Sequence, residues 1–207
     1  MNAQTRKSSF QGPAGALEIA TDRPSGASRG VVVIAHPHPL FGGTMDNKVV
    51  QTLARAFVQS GWTAVRFNFR GVGATAGVHD EGRGETDDLL ALVASTAPDG
   101  PLALAGFSFG SFVASRALLT LWPARSIEKL VLVGTAASRF DVATLPLEIH
   151  DRTLVIHGEQ DDTVPLQSVL DWARPQSLPV TVVPGGEHFF HGQLPLLKNL
   201  VVRHLRS

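Results

Sequence analysis

Ser108 stands at the centre of Gly106-Phe107-Ser108-Phe109-Gly110, directly after the apolar run at 102–105 and directly before small and apolar residues that suit a helix. Strand, tight turn and helix in that order lift a serine hydroxyl above a sheet. Glycines two positions to either side remove side chains that would strike the adjoining strand and helix. The N–H groups and positive dipole end of the helix then face a developing oxyanion. The chemistry this suits is nucleophilic attack on a carbonyl, with Ser108 as nucleophile. Such a serine needs a base and an acid to orient that base, on later strand ends in the order Ser, acid, His. The chain supplies candidates in that order: Asp161 or Asp162 in HGEQDDTVP at 157–165, and His188 or His191 in GGEHFFHG at 185–192. Taken alone, either aspartate reads as a helix cap before Pro165, and either histidine as a loop imidazole.

Two other motifs compete for a role. His36 and His38, in HPHPLFGG at 36–43, form an H-x-H pair at a strand end that could hold a metal for a metal-dependent hydrolase. No further ligand set with metal-site spacing accompanies them. The run at 71–76 satisfies G-x-G-x-x-A, but GVHDEG at 77–82, directly after it, cannot open the helix a dinucleotide fingerprint requires. That loop reads as scaffold beside the site, with Arg70 bracing it by hydrogen bonds.

The elements that must position these residues alternate. Residues 15–20 read as a short strand that a turn at 22–26 could close into a hairpin with the segment after it. The continuous β-branched run at 30–35 suits a strand buried on both faces. A Pro- and Gly-rich loop at its C-terminal end is where an open α/β sheet keeps its ligand chemistry. Next come an amphipathic helix to about residue 60, a strand at 63–68 and a helix at 85–97 with an acidic first turn. After the Ser108 unit there are strands at 129–133, 153–157 and 180–183 and a last helix at 194–205, whose apolar residues would pack on the sheet or on a partner. The alternation predicts a doubly wound, mostly parallel α/β sheet flanked by helices.

With 207 residues, 43% apolar and 17% charged, the chain is expected to form one domain over 1–207, with residues 1–9 frayed. Eighteen basic and eighteen acidic side chains cancel without a Lys/Arg cluster, so neither nucleic acid nor a membrane is expected as partner. The chain has no cysteine, which removes disulfides and thiolate metal sites and suits a reducing cytoplasm. No signal core or membrane-length apolar run is visible.

On HPHPLFGG at 36–43, NFRGVGATAG at 68–77, GFSFG at 106–110, HGEQDDTVP at 157–165 and GGEHFFHG at 185–192, the chain resembles the α/β-hydrolase superfamily. Within it, the likeness is to small compact bacterial serine hydrolases with an H-P-H-P-x-x-G-G early loop. The resemblance implies a triad of Ser108, Asp161 and His188, with Asp162 the fallback acid, and no cofactor. It implies an oxyanion hole from the backbone N–H of Phe109 and a second donor in the early loop. His38 matches the usual donor position, Leu40 is the alternative, and the two prolines have no N–H. Members often carry a helical lid in the segment that here is 134–152, but these residues, broken by Pro146, are too few to build one. The expected site is open and shallow, with Leu40, Phe41, Phe107 and Phe189 as substrate-binding residues; Phe109 and Phe190 are further candidates for an apolar acyl pocket. The implied activity is hydrolysis of a small-molecule acyl substrate, a short-chain carboxylic ester or thioester, through an acyl-enzyme on Ser108. The alternative is a binding protein that keeps the fold without catalysis.

Overall fold

The computed structural model describes residues 5–206. Eight strands form one sheet: β1 Arg6–Gly12, β2 Gly15–Asp22, β3 Val31–Ala35, β4 Thr63–Phe67, β5 Leu102–Phe107, β6 Lys129–Val133, β7 Thr153–Gly158 and β8 Val180–Val183. Five helices accompany them: α1 Lys48–Gln59, α2 Arg83–Thr96, α3 Phe109–Leu121, α4 Leu166–Ala173 and α5 Leu194–Arg206. The spatial order is β1-β2-β4-β3-β5-β6-β7-β8. From β4 to β8 every pairing is parallel, and β2 and β1 add an antiparallel edge.

Strand periodicity divides the core. Alternate side chains of β3 face opposite sides of the sheet: Val33 packs with Phe67, Leu104 and the apolar faces of α2, α3 and α4, while Val32 and Ile34 pack with α1 and α5. Each large apolar side chain buried this way contributes roughly 1.5–3 kcal/mol. Helix α1 begins where the Asn47 side chain accepts the Val49 N–H at 2.8 Å, and it buries Val49, Val50, Leu53 and Phe57. Helix α5 lays Leu197, Val201 and Leu205 into the same cluster, so its apolar face is spent on this chain's own core. No helix among the described residues is long and apolar enough to cross a membrane.

The N-terminal edge differs from the sequence reading in two respects. The sequence predicts fraying over residues 1–9; residues 1–4 lie outside the described residues, but from Arg6 the chain forms a strand. That strand, not a later segment, is the hairpin partner of β2, with Phe10 opposite Leu17 and Gly12 opposite Gly15. The reason is that β1 is an edge strand with only Phe10 and Gly12 partly buried, so its pairing is carried by backbone and leaves almost no apolar pattern to read.

The loop at 69–82 opens no helix; α2 starts only at Arg83. Arg70 ties the loop to α2, its Nε and Nη2 reaching the two carboxylate oxygens of Asp88 at 2.6 and 3.1 Å. The acidic first turn is an internal fastening as well as a dipole match: Glu85, fully buried, accepts the N–H groups of Asp80 and Gly82 and faces Nδ1 of His79 at 2.9 Å.

Candidate active site

Ser108 sits between β5 and α3 with φ 56° and ψ −119°, a backbone conformation that costs a non-glycine residue of the order of 1–3 kcal/mol. The surroundings enforce it. The Ser108 N–H donates to the Val133 carbonyl at 2.8 Å, and the Ser111 hydroxyl donates to the carbonyls of Gly106 and Val133. A Cβ on Gly106 would lie 2.3 Å from the Gly110 carbonyl oxygen, and one on Gly110 would lie 2.3 Å from that of Ala35. Both glycines are therefore required, one by the turn itself and one by the close approach of β3.

The acid and base loops are fastened to each other before they reach the serine. The N–H of Glu159 donates to the Val183 carbonyl and that of Gln160 to the Gly186 carbonyl, while a Cβ on Gly158 would strike the Gly186 oxygen at 2.3 Å. This brings Asp161 and His188 together. His188 Nδ1 lies 2.6 Å from Oδ2 of Asp161, and its Nε2 lies 3.1 Å from Oγ of Ser108. The imidazole thus donates from Nδ1 to the carboxylate and presents an acceptor at Nε2 to the serine hydroxyl. Its ring packs 4.9 Å from that of Phe107, and the absence of a side chain on Gly134 leaves it room, since a Cβ there would be 3.2 Å from Cε1.

Asp161 caps no helix, since α4 starts at Leu166 with Pro165 at its N-cap; its Oδ1 instead fastens the turn by accepting the N–H groups of Thr163 and Val164 at 3.0 and 2.7 Å, leaving Oδ2 for His188. Asp162 is exposed and among the described residues meets only the Thr163 hydroxyl. His191 is exposed and pairs with Glu187. A residue that sequence reasoning passed over stands behind the acid. His157, fully buried at the end of β7, donates from Nε2 to the Val164 carbonyl at 2.9 Å, and the same atom is 3.4 Å from Oδ2 of Asp161. Burial lowers its pKa, holding the ring neutral.

The early loop is anchored by His36. Its Nδ1 donates to the Pro37 carbonyl at 2.6 Å and its Nε2 accepts the Phe69 N–H at 2.9 Å. Burial lowers its pKa to about 4, so the ring stays neutral. With both nitrogens committed, His36 has no lone pair free for a metal, which removes the H-x-H reading. In the same loop the Leu40 N–H is taken by Nδ1 of His38 at 3.2 Å. The N–H groups of His38 and Phe109 have no partner among the described residues.

Ser108 and His188 open on a cavity of about 280 Å³ walled by Phe41, Phe109, Phe140 and Phe189, with His38, Asn47, Arg139 and Thr163 in its polar lining. Two expected lining residues are corrected. Phe107 is fully buried, because it lies one position before the serine and alternation turns it to the α1 and α5 side of the sheet, beneath His188. Leu40 is 70% exposed and outside the cavity, carried away by the short helical turn Pro39–Phe41. Phe190 is likewise core. Segment 134–152 builds no lid, but it supplies Ala136, Arg139 and Phe140 to the wall. The available signal was its position at the C-terminal end of β6, beside the nucleophile strand.

The serine aminopeptidase S33 family model matches residues 26–146, a span that includes β3, the early loop and Ser108. The chain is similar to a lidless α/β serine hydrolase from Xanthomonas campestris, at 36% identity and a TM-score of 0.87, with 100% of this chain and 95% of that one covered. It is similar to an α/β serine hydrolase homologue from Coxiella burnetii, at 38% identity and a TM-score of 0.82, with 97% of each chain covered. An uncharacterized protein of Rickettsia prowazekii is 28% identical over 193 residues, 87% of this chain and 80% of that protein. The family model covers more than half of the chain, and two α/β serine hydrolases resemble it over nearly their whole length: the chain belongs to the α/β serine hydrolases, in the serine aminopeptidase S33 family.

Proposed function

We propose that the protein cleaves short-chain carboxylic esters or thioesters through an acyl-enzyme on Ser108. The observation that carries this reading is the unbroken chain from Ser108 Oγ through the two nitrogens of His188 to Asp161, opening on an apolar cavity. Ser108 Oγ attacks the substrate carbonyl carbon as its proton passes to His188 Nε2. The tetrahedral oxyanion accepts the N–H groups of Phe109 and His38. Collapse expels the alcohol or thiol, which takes the proton from His188. Water then attacks the acyl carbon and loses a proton to the same nitrogen; the bond between that carbon and Ser108 Oγ breaks, Oγ takes the proton back from His188, and the acid leaves. Asp161 holds the imidazole in the tautomer this requires and offsets its charge.

The cavity sets the acyl size. At about 280 Å³ it lies at the low end of small-molecule sites, which suits a short acyl group and part of its leaving group. Without a lid, little of a long chain would be buried. A fluorophosphonate probe tests the reading: a single adduct on Ser108 in the wild type and none in Ser108→Ala is expected, along with turnover of acetyl and butyryl esters. Absence of labelling in folded protein favours the non-catalytic alternative. A preference for palmitoyl over acetyl esters would overturn the size argument.

A further inference from the structure

We propose that the site selects acyl substrates bearing a carboxylate, with Arg139 as the residue that recognises the charge. The inference rests on the acyl-transfer reading above and adds the substrate's charge to it. Arg139 lines the same cavity as Ser108, and no aspartate or glutamate does. Two buried or half-buried arginines of the sheet and its loops are neutralised, Arg66 by Asp22 and Asp46 and Arg70 by Asp88. The Arg139 guanidinium has no hydrogen-bond or ion-pair partner among the described residues, so its planar fork is uncommitted at the mouth of the site.

The neighbouring polar groups point to the same charge sign. His38 uses Nδ1 to accept the Leu40 N–H, so the proton of its neutral ring is on Nε2, which has no partner among the described residues. Burial, with His79 nearby, lowers the pKa of His38 and keeps that proton a neutral donor. Asn47 spends Oδ1 on the Val49 N–H and retains its amide N–H₂. The lining therefore offers donors and one full positive charge; the Thr163 hydroxyl, whose proton goes to Asp162, adds a neutral acceptor and no negative charge. A substrate with a free α-ammonium, as an aminopeptidase requires, would meet a guanidinium where it needs a carboxylate.

The test compares kcat/KM for mono-4-nitrophenyl glutarate, its neutral methyl ester and alanine 4-nitrophenyl ester in wild type, Arg139→Ala and Arg139→Glu. A parallel arm with 3-acetoxybenzoate against phenyl acetate places the charge on the leaving group instead. The expected result is a tenfold or greater preference for the anionic member of one pair, diminished by 0.5 M salt, collapsing in R139A and reversing toward the alanine ester in R139E. Equal rates for both anionic and neutral pairs, or preference for the alanine ester in wild type, would overturn the inference while leaving the hydrolase reading intact. Failure of fluorophosphonate to label Ser108, with no ester turned over, would overturn both.

Discussion

Nε2 of His157 lies 3.4 Å from Oδ2 of Asp161, the oxygen that also receives the Nδ1 proton of His188. The carboxylate is therefore backed at contact distance by a second, neutral imidazole, whose Nε2 proton goes to the Val164 carbonyl and whose Nδ1 is buried without a partner among the described residues. An unsatisfied buried nitrogen costs about 1–3 kcal/mol, which a residue kept for packing alone would not need. Replacing His157 with Leu removes that nitrogen but leaves the buried Val164 carbonyl without its donor, and is expected to lower unfolding stability by about 1–3 kcal/mol. It should lower kcat about tenfold with KM little changed, because the acid loses a restraint and the substrate loses nothing. Steady-state kinetics on a short ester and urea unfolding of the same variant check both halves.

The two adjacent carboxylates should separate sharply. Asp161→Asn is expected to reduce kcat by about 10³–10⁴, since an amide at that position no longer fixes the His188 tautomer. Asp162→Asn should stay within about twofold of wild type. Comparable losses in both would mean that the acid is misassigned.

Glycines of the same chain should respond differently to a methyl group. A Cβ on Gly110 would lie 2.3 Å from a backbone oxygen of β3, whereas Gly42, at φ 75°, has nothing within 4 Å of its would-be Cβ. Gly110→Ala is expected to lose more than about 3 kcal/mol or to accumulate as insoluble protein. Gly42→Ala should lose only the left-handed penalty of roughly 1–2 kcal/mol. Denaturant midpoints of the soluble fractions decide.

Acid should weaken the fold through its buried imidazoles. His36 titrates near 4 in the folded protein against 6.5 for an ordinary histidine, so the unfolded chain takes up its proton first as pH falls. The stability this ring contributes is complete above 6.5 and is lost progressively from there to about 4, amounting to about 3 kcal/mol. His157 and His204, both lowered chiefly by burial, act in the same direction. Urea midpoints should therefore fall between pH 7 and pH 4. The slope should be shallower in His36→Asn, and an unchanged slope would count against this origin.

The legibility of each feature depends on how it is encoded. Ser108 is legible in the sequence because its strained turn demands Gly106 and Gly110, and a steric demand leaves a residue-level trace. The doubly wound sheet is legible because its inner strands, such as β3, are buried on both faces and must be apolar throughout. Strand β1 is not, because an exposed edge strand is held by backbone hydrogen bonds that almost any side chain permits. Asp161 cannot be told from Asp162 on chemistry alone, since the two differ only in which way the turn aims them. Phe107 is misplaced by sequence reasoning because a strand ending in a tight turn sends its last residues to opposite faces. Arg139 and Phe140 escape it because a wall residue needs no motif, only the right place beside β6.

The wall these two residues build has a kinetic consequence. It follows an inner strand of the sheet, and the opposing walls belong to the early loop, fastened through His36 to Phe69 beyond β4, and to the His188 loop, fastened to the acid loop after β7. Entry and exit then involve no closing element. Turnover should show no lag at a lipid–water surface and little dependence on solvent viscosity, with its temperature dependence reporting the making and breaking of the acyl bond.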